Sequence, residues 1–238
     1  MRLRRLAVAV VMSLAVVAGG AHARGQLQTR QTSVDLPPGV RAGRLVLAND
    51  GTTSMVAQVR IYAWSQDGRD DQLVPSDLLE ATPAIVEIPA GGEQLVRIVR
   101  PTNAATDVEQ AYRVIVDELP GDPKDQDNSA VSMRMRFVIP AFVRSPNAPP
   151  PALQCRLQQA YLQCENRGGR AAQLGKTRIV DVAGHAMEVT PGLLGYVLAG
   201  QSRGWALDAA KLAMLGSSST LHVSLNGEPA SVELGGAR

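Results

Sequence analysis

Few side chains in this sequence have the types and spacings that do covalent chemistry. The two cysteines, Cys155 and Cys164, have eight residues between them in a stretch that reads as two strands and a turn, a spacing that permits a cross-strand disulfide. With no nearby histidine it matches neither Cys-x-x-Cys nor zinc spacing, so the expectation is a structural staple in an oxidising compartment. Of three histidines, His22 lies in a leader-like segment, and His185 and His222 stand far apart with no second histidine or cysteine three or four residues on. Each reads as a surface or satisfied core residue, and no metal site is expected. No phosphate-binding loop or dinucleotide fingerprint occurs, and Asp70-Asp71 reads as a solvated turn rather than an acid pair. The expectation is a protein that is not an enzyme and needs no cofactor.

Residues 1–23 read as a secretory signal peptide: Arg2 to Arg5 form a basic start, Leu6 to Val17 an apolar stretch, and Ala21-His22-Ala23 a small-x-small site. The apolar run falls short of the roughly 20 residues a spanning helix needs, so stable membrane insertion is not expected and the mature chain should be soluble and exported. Without Arg2, Arg4 and Arg5 the formal charge moves from +2 to −1, which gives no reason to expect a nucleic-acid partner.

What must position any functional residue is a set of strands. Alternating apolar and polar residues recur at Ser33 to Leu36, Arg44 to Ala48, Met55 to Trp64, Ile85 to Ile88, Gln94 to Val99, Tyr112 to Leu119 and Val131 to Val143. Turn residues separate them, as at Asn49-Asp50-Gly51 and Ala90-Gly91-Gly92. About seven strands in roughly 115 residues suit an immunoglobulin-like sandwich. We therefore expect an all-β protein with a first domain at 24–145, a Pro-rich linker at 146–151 and a second sandwich at 152–238. Strands in the second are expected near residues 153–157, 160–165, 170–182, 195–198, 203–207, 221–225 and 231–234, while Asp208 to Leu215 reads equally as a helical turn or two.

The run Val131 to Ile139 sets an apolar row (Val131, Met133, Met135, Phe137, Ile139) against a row bearing Arg134 and Arg136. Such a strand either packs its apolar row into its own core or offers it, as a sheet edge, to another protein. Methionines suit the second use because flexible thioethers adapt to their partners.

Ala111-Tyr112-Arg113, Asp117-Glu118-Leu119-Pro120 and Met133 through Arg144 together resemble the first domain of PapD-like periplasmic chaperones of chaperone-usher pilus assembly. Leu162 with Glu165-Asn166-Arg167-Gly168, and Gly195 through Trp205, resemble the second domain of the archaic, spore-coat-like branch. The resemblance implies two immunoglobulin-like domains in an L, no enzymatic activity, and donation of the G strand to pilin-like subunits that are then passed to an outer-membrane usher. By that resemblance Val131, Met133, Met135 and Phe137 are the donor side chains, and whether a dimer of the free chain caps this strand is left open. The basic pair that anchors the subunit's terminal carboxylate in the best-known branch falls here at Ser33 and Pro140. Arg113 is the substitute candidate, with a surface arginine beside Glu109 as the plainer alternative. Glu109 and Arg144 match an interdomain ion pair whose acidic partner in the second domain has no obvious counterpart. The competing reading is an immunoglobulin-like adhesin or pilus subunit, which would be expected to lack a strand.

Overall fold

The computed structural model describes residues 27–102, 106–121, 133–216 and 218–236. Two β-sandwiches follow one another along the chain. The segment read as a signal peptide lies outside the described residues.

The first sandwich packs two sheets. One has the order β1 (Leu27–Thr29), β3 (Ala42–Asn49), β8 (Glu93–Val99) and β6 (Glu80–Thr82). The other runs β2 (Val34–Leu36), β10 (Arg136–Val143), β9 (Gln110–Glu118), β4 (Met55–Gln66) and β5 (Asp71–Pro75), with β7 (Ile85–Ile88) also on β4. Period-two alternation explains the layering. In β3, Leu45 and Leu47 are fully buried while Arg44 faces solvent, and Val114 and Val116 of β9 meet them in the core.

The second sandwich comprises β11 (Leu153–Gln158), β12 (Tyr161–Asn166), β13 (Ala172–Asp181), β14 (Ala186–Val197), β15 (Ser202–Ala206), β16 (Ser219–Leu225) and β17 (Glu228–Gly236). Its two layers are joined by β17, which pairs with β16 up to Glu233 and then runs parallel to β11 from Leu234. Cys155 and Cys164 face each other across β11 and β12 with Cα atoms 4.1 Å apart and form a disulfide in the core. Asp208 caps one helical turn, α1 (Ala209–Leu212), by accepting from the Ala210 and Lys211 amides.

The expected linker is pinned rather than free. Ser145 and Ala148 are buried, and the Gly169 amide donates to the Pro149 carbonyl. A Cβ at Gly168 would lie 2.1 Å from the Pro150 carbonyl oxygen, so only glycine permits that turn to press against the chain joining the sandwiches.

Candidate functional site

The candidate site is built from β10 and the face of its sheet that turns toward the second sandwich. On one side β10 pairs with β9 along its whole length, Arg136 opposite Asp117 and Val143 opposite Gln110. On its other side β2 pairs only with Ala141 to Val143. Among the described residues, then, the stretch Arg136 to Pro140 is a sheet edge.

The register tells which backbone groups this edge presents. The Met135 carbonyl accepts from the Glu118 amide at 3.0 Å, which makes the odd-numbered residues those bonded to β9. The even-numbered residues therefore point their backbone groups outward: Arg136 and Val138 offer both N–H and C=O, and Pro140, lacking an N–H, only its carbonyl. The Arg144 amide obeys the same parity, donating to the Leu36 carbonyl of β2 at 2.9 Å.

Side chains follow the complementary alternation. Ile139 is buried in the core, with Phe137 and Met135 packed against it and partly exposed. Met133 is 85% exposed. The regular strand begins at Arg136, later than the Val131 expected from sequence, although the ladder bond at Met135 extends the pairing by one residue. Val131 lies outside the described residues. The C-terminal members of the apolar row belong to the chain's own core, and exposure grows toward Met133.

Arg113 of β9 sits opposite Pro140 and faces the second sandwich. Its guanidinium carbon lies 3.5 Å from the centre of the Trp64 ring and 5.8 Å from that of Tyr196. Only 15% of the side chain is exposed, and Nη2 reaches Asp71 at 3.5 Å. Burial lowers its pKa, with Asp71 opposing the shift. Arg203, from the second sandwich, approaches Asp70 and Asp71 at 3.7 Å each, and its Nη1 is buried with no hydrogen-bond partner among the described residues. Asp70, in the bend before β5 and 78% exposed, is solvated as expected, whereas Asp71, the first residue of β5, approaches both arginines at the junction of the sandwiches. The hairpin of β5 on the end of β4 puts the two aspartates there. The two arginines and two aspartates of this corner balance in formal charge.

Glu109 and Arg144 also meet. Arg144 donates to Glu109 through Nη1 and to Asp35 through Nη2 and Nε, the last at 2.9 Å. Burial would lower the Arg144 pKa, but the two carboxylates outweigh it and raise it. Among the described residues, no second-sandwich acid joins this group. Glu109 instead accepts from the Ala171 amide at 2.9 Å and donates its own amide to the Gly169 carbonyl. Beyond Phe142 a cavity of about 380 Å³ opens, lined by Thr32, Ser33, Arg144 and Arg170.

Gln66, which carries no motif, makes the densest crossing. Its side chain donates to the Tyr196 carbonyl and accepts from the Leu198 amide, beside a buried cluster of Trp64, Phe142, Ala171 and Leu198. Gly200-Gln201-Ser202-Arg203-Gly204 fits the Gly-x-Ser-x-Gly spacing of a hydrolase elbow, a match that the sequence expectations above leave out. The elbow needs a strand-to-helix turn, whereas Ser202 begins β15, paired with Glu165.

Comparison with known proteins places this geometry. Residues 26–149 match the family described as pili and flagellar-assembly chaperone, PapD N-terminal domain. The chain belongs to the PapD chaperone family. A search of curated proteins by sequence found no match. Among solved structures, this PapD-family chain is similar to one of the CsuC-CsuE chaperone-tip adhesion subunit pre-assembly complex from archaic chaperone-usher Csu pili of Acinetobacter baumannii. Identity is 25%, covering 89% of this chain and 98% of that one, with a TM-score of 0.67. The E. coli chaperone DraB (20% identity, 88% and 96% covered, TM-score 0.60) and a Salmonella enterica structure of SafA pilin with the SafB chaperone (15%, 87% and 95%, 0.62) share the fold. No helix among the described residues is long and apolar enough to cross a membrane.

Proposed function

We propose that the chain is a non-enzymatic periplasmic chaperone that lends β10 and the residues before it to pilin-like subunits and delivers them to an outer-membrane usher. Residues 1–23 are its export signal, 24–145 the donor domain, 146–151 the linker and 152–238 the second domain. Met133, Met135 and Phe137, with Val131 beyond them, enter the subunit's groove. The outward backbone groups of Arg136 and Val138 continue the sheet into the client, covering an edge that would otherwise invite aggregation.

The observation that carries this reading is the one-sided pairing of β10 over Arg136 to Pro140, in a chain whose family assembles pili. The client's terminal carboxylate binds Arg113, close to where β2 ends the free edge. In the absence of a client, a second copy covers the same edge. An adhesin or pilus subunit is disfavoured, since residues 26–149 match a chaperone family.

Met133→Asp tests the proposal because Met133 is the most exposed of the donor residues described. The chain is co-expressed with small exported proteins encoded beside it, then purified, and co-eluting proteins are identified by mass spectrometry. A stoichiometric partner lost from the variant, with an unchanged melting temperature, is expected. A variant that holds the partner as well as wild type does would rule out donation through this row.

A further inference from the structure

The outer face of the donor sheet carries a charge pattern that stops at the free edge. Arg60 of β4 donates to Asp117 Oδ2 of β9 at 2.6 Å, and Arg136 of β10 donates to Oδ1 of the same carboxylate through Nε. Burial pushes the Asp117 pKa up, but the hydrogen bonds from the two arginines outweigh it and hold the group below the usual carboxylate range. Across the strands the signs run positive, negative, positive, and beyond Arg136 no strand follows among the described residues. Arg136 uses Nε on Asp117, which leaves its Nη groups for an acceptor across the edge. Two residues earlier Arg134 is exposed, with no charged partner among the described residues. Two residues later Val138 is 49% exposed.

We infer that the client strand pairing with this edge carries acidic side chains opposite Arg134 and Arg136 and an apolar one opposite Val138. The inference rests on strand donation and names the client's outward row, the row that does not fill the groove. Directly opposed side chains on one sheet face lie about 5 Å apart, where opposite charges stabilise and like charges destabilise. An acid there extends the alternation begun by Arg60, Asp117 and Arg136. A lysine or arginine there meets two guanidiniums at close range, so the pattern excludes basic strands as well as selecting acidic ones. Because side-chain alternation is the same for either strand direction, the pattern holds for parallel and antiparallel pairing alike.

The test uses the subunit that co-purifies with wild type and compares its capture by wild type, Arg134→Glu and Met133→Asp at 50 and 500 mM NaCl. Arg134 is the residue to reverse, since a glutamate at 136 would face Asp117 and disturb the fold. At 50 mM we expect capture by Arg134→Glu to be about 5-fold weaker, the gap narrowing at 500 mM as salt screens the edge. Replacing the subunit's acid by lysine should restore capture by that variant. If Arg134→Glu captures the subunit as well as wild type while Met133→Asp does not, the charge rule is overturned and donation stands. If both variants capture it normally, donation itself falls and the rule with it.

Discussion

Asn49 and Asn166 hold the same position in their two sandwiches. Each ends a strand, β3 or β12, and is buried. Asn49 donates to the carbonyls of Thr53 and Ile88 and accepts from the Gly51 amide; Asn166 donates to those of Arg170 and Val197 and accepts from the Gly168 amide. In both cases one side chain closes a tight Asn-x-Gly turn and ties it to the end of another strand. Asn166 goes further, accepting from the Ala152 amide just after the linker.

That extra bond makes Asn166→Ala the more damaging substitution. It strips buried carbonyls and amides of their partners, at a cost of about 3 kcal/mol. Urea unfolding should show a lower midpoint, and Asn49→Ala a smaller drop. Equal midpoints for wild type and Asn166→Ala would mean that water replaces the side chain without loss.

How legible all this is in the sequence depends on whether the partner is near in the chain. Alternation marks β3, β4 and β9 because each has one face in the core. β5 is exposed at every residue, so no alternation reveals it, and β1 and β6 are three residues long. β14 begins near residue 186, not 195, since register shifts against β13 break its period around Pro191 and Gly192. The site shows the same divide. Arg113 and Arg144 stand out in sequence, but Asp71 lies 42 residues from the first and Asp35 109 from the second. Only the folded sheet brings those acids to their arginines.

Arg113→Lys separates charge from geometry at the junction. A lysine keeps the positive charge but loses the planar fork that lies over Trp64 and could grip a carboxylate with two parallel bonds. Subunit capture should fall roughly 10-fold or more, the loss of about 1.5 to 3 kcal/mol in charged hydrogen bonds. Arg170→Ala, in the neighbouring cavity, should leave capture near wild type. The reverse ranking, read from the affinity of the co-purified subunit, would move the anchor to Arg170.

Acid stability should depend on Asp181, at the end of β13. Its carboxylate accepts from the Gly216, Ala183 and His185 amides and meets His185 Nδ1 at 2.9 Å, joining the β13–β14 turn to the segment before β16. The Gly216 hydrogen bond first, and then His185, hold its pKa well below the ordinary carboxylate value. A carboxyl group with a depressed folded-state pKa stabilises the fold fully above its unfolded value, about 3.9. That contribution drains away as pH falls from there through the folded value. Asp181→Asn removes the titration while keeping an acceptor oxygen. Its melting temperature should lie below that of wild type at pH 7, and the gap should narrow as pH is lowered below about 4. A gap that stays constant from pH 7 to pH 2 would show that the ionised carboxylate adds nothing beyond what the amide supplies.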